Sequence, residues 1–202
     1  MKKITDIKEQ VKDKKRVSIF LDGEFCMGLD LITVMKLRLK IGDIVDEKKL
    51  IDALIMSETN SAFDKSLNYL SKSIKTIKEI ENYLQKKGYS EEIVKIVIQK
   101  LIDYNYLNDF EYAQKLVSTY SNKMGEKMIR YKLILKGVDE KIISRALEEI
   151  TNSQETAYNV ALKYLKNKEI NAVNLQKCYK YLLSKGFSYD DVNQVLSLLK
   201  QN

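Results

Sequence analysis

The sequence predicts a mainly α-helical protein: three tandem three-helix repeats stacked into an elongated array, preceded by a small N-terminal αβ unit with a β-hairpin. Three observations carry this expectation. The 202 residues include no proline and only seven glycines, a composition that favours helices. Three Leu-x-x-Lys-Gly segments recur at a constant interval of 49 residues. The first thirty residues, unlike the rest, alternate apolar and polar positions around an Asp-Gly pair.

The hairpin comes first. Val17, Ile19 and Leu21 stand two apart, Asp22-Gly23 follows, and Glu24-Phe25-Cys26-Met27-Gly28-Leu29 continues as a second β-rich run. Asp-Gly between two such runs is a strong hairpin signal, because a type I′ turn needs positive φ at both central residues. An earlier strand over Ile4 to Val11 can join the pair. Asp30 to Leu39 and Asp46 to Ser57 read as short helices on either side of Ile41-Gly42-Asp43. Residues 1–57 therefore form the αβ unit.

Beyond Glu58 the pattern is helical and self-similar. Gly88, Gly137 and Gly186 end the three Leu-x-x-Lys-Gly segments. After each come an apolar residue at +1, Ser or Asp at +2, and small or aliphatic residues at +6, +9, +10 and +13. These are Val94, Val97, Ile98 and Leu101; Ile143, Ala146, Leu147 and Ile150; and Val192, Val195, Leu196 and Leu199. A fixed period of this size marks a helical repeat array. Each glycine suits the left-handed residue that ends a helix, and Ser90, Asp139 and Ser188 suit the N-cap of the next. Helices over 60–71, 108–122 and 152–168 open the three units, and Asn108 stands three residues before Glu111 in capping-box spacing. The repeats are placed at 58–105, 106–151 and 152–202. One three-helix unit buries little core, and stacking three buries more.

Composition closes several classes of chemistry. There is no histidine, which excludes imidazole-based triads and His-ligated metals. Cys26 and Cys178 are far apart in sequence and form no CxxC, so both are expected as small buried hydrophobes. The adjacent acid pairs Glu91-Glu92, Glu148-Glu149 and Asp190-Asp191 diverge by about 100° on a helix and do not face each other. No catalytic constellation, metal site or cofactor site is expected. No run is long and apolar enough for a membrane span, and the charged start MKKITDIKEQVKDKKR lacks the core of a secretory leader. A cytoplasmic, monomeric protein is expected.

The net charge of +7 is modest, but its distribution is not uniform. Windows 72–88, 122–137 and 174–186, which end at the three glycines, carry +3, +4 and +3, whereas 89–104, 138–150 and 187–200 carry −1, −2 and −1. On helices, Lys75, Lys78 and Lys86 share one face, Lys123, Lys127 and Arg130 another, and Lys177 and Lys180 a third. If equivalent helices align, these stripes form a basic surface that tracks phosphates. Of the 35 basic residues only four are arginine, which disfavours base-edge reading and favours backbone contacts. The 13 tyrosines recur with aliphatic residues at helical spacing, as core or interface positions. Tyrosine rings are also a surface on which unpaired bases stack.

Tyr106-Leu107-Asn108-Asp109-Phe110-Glu111-Tyr112-Ala113, together with Gly125, Ile129 and Lys136-Gly137 in a 49-residue repeat, resembles the RecX family of recombinase regulators. The matching positions are Tyr106, Leu107, Asp109, Phe110, Ala113, Gly125, Ile129 and Gly137. Asn108 departs from the family's aspartate, and Glu126 stands where a proline is common. The family's arginine-rich run is replaced by Tyr120-Ser121-Asn122-Lys123. The resemblance spans residues 58–202, and the hairpin resembles the start of longer members. It implies a non-enzymatic regulator that binds the RecA filament on single-stranded DNA and lowers ATP hydrolysis, strand exchange and coprotease activity, with a place in DNA recombination, repair and the SOS response. The motif residues are expected to be mainly structural. The filament and DNA contacts are expected from the lysine and arginine set named above. The alternatives are a stand-alone, sequence-tolerant DNA-binding helical module and a protein-interaction scaffold without nucleic-acid binding.

Overall fold

In the computed structural model, which describes residues 1–201, Asp22 and Gly23 both adopt positive φ (50° and 89°). They close the hairpin between β2 (Arg16–Leu21) and β3 (Glu24–Asp30). Strand β1 (Lys2–Glu9) pairs with β2, and a short β4 (Ile44–Val45) with β1, giving an antiparallel sheet of order β3-β2-β1-β4. Ile4, Val17, Ile19, Leu21, Leu29 and Val45 point to one face and form its core.

The expected burial of Cys26 does not hold: it is exposed. Ile19 pairs with Met27 and Phe20 with Phe25, so Cys26 is the extra residue of a β-bulge on β3 and is left out of the ladder, beside exposed Phe25 and half-buried Met27. Cys178 is buried as expected, and burial pushes its thiol pKa up, against the opposing charge of Lys168.

Helix α1 (Leu31–Lys36) starts at Asp30, whose carboxylate accepts hydrogen bonds from the Thr33 amide and hydroxyl, both at 2.8 Å. The next helix is longer than the sequence suggests. Instead of separate helices over 46–57 and 60–71, α2 runs unbroken over Glu47–Leu70. Its polar middle, Ser57-Glu58-Thr59-Asn60, reads as a linker, yet Ser57 and Thr59 are buried. The Asp30 amide donates to the Ser57 hydroxyl at 2.7 Å, and the Asn60 amide nitrogen lies 3.5 Å from the Asp30 carboxylate. Burial alone would raise the Asp30 pKa, but the bonds from Thr33, Ser57 and Asn60 bring it below its ordinary value. The polar segment is thus helix used to hold the start of α1, which is why the sequence pattern misleads.

The remaining helices are α3 (Ile77–Lys86), α4 (Glu91–Asp103), α5 (Asp109–Tyr120), α6 (Glu126–Leu135), α7 (Glu140–Leu147), α8 (Ser153–Leu165), α9 (Ala172–Ser184) and α10 (Tyr189–Gln201). With α2 they make three three-helix repeats. Gly88, Gly137 and Gly186 all have positive φ (87°, 74° and 86°). The residue after each donates its N–H back to a carbonyl in the last turn: Tyr89 to Leu84, Val138 to Leu133 and Phe187 to Leu182, the Schellman pattern. Ser90, Asp139 and Ser188 accept from the first-turn amides of Ile93, Lys141 and Asp191. Ten of the twelve positions counted from the glycines are buried, with Ile150 and Leu196 packed at the margins.

The chain divides into two units: residues 1–74 with 80–107, and residues 75–79 with 108–202. Helices α3 and α6 begin 49 residues apart, but α9 begins at Ala172, three residues before the same interval would place it. Its N-cap Asn171 accepts from the Asn174 amide at 2.9 Å.

Candidate functional site

Seven of the eight basic residues singled out in the sequence belong to the second unit, and Lys86 belongs to the first. Lys78, Lys86, Lys123, Lys127, Lys177 and Lys180 are exposed, while Lys75 and Arg130 are half-buried. Among the described residues, no carboxylate pairs with Lys86, Lys123, Lys177 or Lys180. Arg130 differs from these. Its guanidinium lies between Glu126, at 3.2 Å, and Glu140, and also donates to the Ser144 hydroxyl, so its charge is compensated locally. Lys127 sits over the Tyr189 ring at 5.1 Å.

Two of these lysines stand where one repeat is joined to the next. Lys78 and Lys127 are the second residues of α3 and α6. At the first joint, the Thr76 hydroxyl donates to the Lys136 carbonyl at 2.7 Å, and Lys136 pairs with Glu79 at 2.6 Å. The stem of Lys78 packs on Gly137 so closely that a Cβ there would lie 2.5 Å from the Cβ of Lys78. Thr76 and Glu79 also form a reciprocal capping box: the Glu79 amide donates to the Thr76 hydroxyl and the Thr76 amide to the Glu79 carboxylate. Burial pushes the Glu79 carboxyl up, but the bonds from Lys136 and the Thr76 amide outweigh it and hold the pKa below its ordinary value.

At the second joint the contacts are main-chain. The Gly125 amide donates to the Lys185 carbonyl at 3.0 Å and the Lys127 amide to the Gly186 carbonyl at 3.2 Å. A Cβ on Gly125 would lie 2.3 Å from the Gly186 oxygen, and one on Gly186 would lie 2.3 Å from the Met128 nitrogen. Gly125 is therefore a close-approach glycine, which its place in the sequence does not reveal.

The motif residues Leu107, Asp109, Ala113 and Ile129 are buried. Buried Asp109 accepts from the Ile77 amide at 2.8 Å, capping the start of α3, a helix of the preceding repeat. Its carboxylate thus replaces a missing helical acceptor at the positive end of the helix. Tyr106, by contrast, is 55% exposed.

Aromatic rings hold several of the other lysines. Tyr164 and Tyr181 stack at 4.4 Å, with Lys168 over the first ring and Lys185 over the second. Tyr69 and Tyr83 stack at 4.3 Å with Lys87 over Tyr83, and Lys132 lies over Tyr120. No tyrosine is fully buried, but Tyr112, Tyr120, Tyr158, Tyr164, Tyr179 and Tyr181 pack partly buried against the helical cores, as expected of core-margin positions, whereas Tyr104, Tyr106, Tyr131 and Tyr189 are exposed. Sequence reasoning missed one further feature. Besides Lys127, α6 exposes Tyr131, Ile134 and Leu135, apolar residues that core packing at three- and four-residue spacing leads one to place inside.

Among the described residues, no group of three or more His, Cys, Asp or Glu side chains is arranged to hold a metal ion, and no helix is long and apolar enough to cross a membrane.

Comparison with known proteins agrees with this organisation. Residues 2–46 match the regulatory protein RecX N-terminal domain, and residues 62–101, 108–147 and 152–196 match the first, second and third three-helix domains of RecX. The chain is 33% identical to regulatory protein RecX of Clostridium perfringens (strain SM101), over all of this chain and 98% of that one. It is 32% identical to regulatory protein RecX of Bacillus subtilis, over 98% of this chain and 77% of the relative. A crystal structure of regulatory protein RecX superposes with a TM-score of 0.75 at 29% identity, covering both chains in full. RecX from Lactobacillus salivarius superposes at 0.66 with 31% identity, over 72% of this chain and 98% of that one. With its hairpin unit and all three helical domains matched in order, the chain belongs to the RecX family of regulatory proteins.

Proposed function

We propose that the protein binds the RecA filament on single-stranded DNA in the cytoplasm and modulates it in the inhibitory direction, lowering ATP hydrolysis, strand exchange and coprotease activity. It acts by binding and not by chemistry of its own. Family membership supports a regulatory role, and the exposed face of α6 is the observation that carries the partner. Lys123 and Lys127, at and just before the start of that helix, are exposed, as are Tyr131, Ile134 and Leu135 farther along it. Unpaired lysine suits phosphate, whereas exposed aromatic and aliphatic side chains beside it suit a protein surface. A nucleoprotein filament offers both. Lys177 and Lys180 add unpaired positive charge on α9, and Lys86 does so on α3. Lys75, Lys78 and Arg130 contribute through positions already tied into the protein.

The test is RecA ATP hydrolysis on single-stranded DNA. The protein should suppress it at substoichiometric amounts, and unchanged hydrolysis at equimolar protein overturns the proposal. Lys123→Glu with Lys127→Glu should weaken binding and flatten the logarithmic salt slope by about 1.4, at roughly 0.7 per lysine on a single strand. Ile134→Asp with Leu135→Asp should weaken filament binding with the salt slope unchanged. A protein that binds free DNA yet leaves the recombinase untouched would instead be a stand-alone DNA-binding module.

A further inference from the structure

The first unit carries an aromatic cluster that neither the core nor the basic helices account for. Two residues past the end of α4 stands Asn105, a non-glycine residue with φ of 57°. The Asn105 amide donates to the Ile102 carbonyl and the Tyr106 amide to the Leu101 carbonyl. This tight left-handed turn brings the two flanking tyrosines together over Phe63 of α2. The ring centroids lie 6.0 Å apart for Phe63 and Tyr104, 6.5 Å for Phe63 and Tyr106, and 6.3 Å for Tyr104 and Tyr106, all in T-shaped geometry. Tyr104 is 58% exposed and Tyr106 55%, and among the described residues neither hydroxyl has a hydrogen-bond partner. Lys100 stands over Phe63 at 4.6 Å, and Lys95 is exposed on the same shallow surface of α4.

The Tyr164–Tyr181 stack shows what a closed aromatic pair looks like here: each ring is covered by the other and by a lysine. In the Phe63 cluster, lysine covers the phenylalanine and the two tyrosines stay open, held in place by edge contacts. Three preformed rings lose little freedom on binding. Lys100 also lines a shallow surface of α4 together with Lys95, Ile96, Gln99 and Asp103, so the cluster meets that surface at Lys100. A protein anchor site is normally ringed by apolar contacts that exclude water, whereas the α4 surface that meets this cluster at Lys100 is mostly polar or charged. Rings open to solvent beside lysines match the surface that takes a single strand, with bases on the rings and phosphates on the ammonium groups.

We infer that Tyr104 and Tyr106 form a stacking site for unpaired nucleobases, with Lys100 and Lys95 receiving the adjoining phosphates. This rests on the nucleic-acid part of the function proposed above and adds a contact to bases where that reading has contacts to phosphate alone.

The full-length protein tests it on two probes of equal length and charge, oligothymidylate and the same backbone without bases. Wild-type protein should bind oligothymidylate about tenfold more tightly, as one stacked base implies. Tyr104→Ala with Tyr106→Ala should remove that preference, leaving abasic binding unchanged, and the double Phe variant should keep it. Equal wild-type affinity for the two probes overturns the stacking site while leaving phosphate binding intact, and requires no variant. Binding to neither probe overturns both readings. Loss of filament affinity in the Ala variant without loss of the oligothymidylate preference assigns the rings to a protein partner and also overturns the inference.

Discussion

The two joints in the second unit do the same task with different materials. At each, the start of a middle helix abuts the Lys-Gly turn that ends the middle helix of the next repeat. The joint at Gly137 is made of side chains: the Thr76 hydroxyl, the Lys136–Glu79 pair and the Lys78 stem. The joint at Gly186 is made of backbone, with Gly125 and Lys127 amides on the Lys185 and Gly186 carbonyls. Side chains adapt when a neighbour changes, whereas backbone in contact with backbone has no rotamer to yield. Equal spacing in sequence therefore conceals unequal tolerance. The turn at Gly88 is a third case, since a Cβ there would meet nothing within 4 Å.

Alanine at these glycines should separate the cases. Gly186→Ala is expected to be most damaging, because left-handed backbone costs about 1–2 kcal/mol and the clash with Met128 backbone about 1–3 more. Its denaturant midpoint should fall furthest. Gly125→Ala has no conformational penalty at φ of −78°, yet its Cβ meets the Gly186 carbonyl, and a loss of about 1–3 kcal/mol follows. Gly137→Ala carries the left-handed cost plus a contact with a side chain. Adding Lys78→Gly should recover part of that loss, and a double-mutant cycle showing no coupling would remove Lys78 from the joint. Gly88→Ala should cost about 1–2 kcal/mol, the conformational penalty alone.

The smallest effect is electrostatic. Glu79 and Lys136 are partly exposed, so breaking the pair with Lys136→Met should cost under about 1 kcal/mol. Because the folded Glu79 pKa is held below its ordinary value, the contribution is present above the unfolded pKa of about 4.3 and is lost as pH falls through the lower folded value. Stability of the wild type should therefore decline more steeply than that of Glu79→Gln on acidification below about pH 5.

What could be read from the sequence was local. The Asp22-Gly23 turn, the three left-handed glycines and the caps at Ser90, Asp139 and Ser188 each depend on residues a few positions apart, and all appear where expected. What could not be read depends on partners far away in the chain. Thr76 finds its acceptor at Lys136 and Asp109 its donor at Ile77, neither of which a periodic pattern encodes. Ser57 and Asn60 look like a linker until Asp30 is placed beside them. At the candidate site, helical spacing groups the basic residues on shared faces, but Lys75 and Lys123 lie ahead of α3 and α6, outside the helices, and spacing could not show that Arg130 lies between two carboxylates. Nor could it show that α6 turns Ile134 and Leu135 outward.

The early start of α9 has a further meaning. In α3 and α6, the beginning of the middle helix leaves polar groups for another repeat to satisfy. In α9, which begins three residues earlier, the N-cap Asn171 supplies one such partner locally by accepting from the Asn174 amide. Repetition here does not make the middle helices interchangeable: α3 and α6 borrow acceptors from a neighbouring repeat, whereas α9 begins on one of its own.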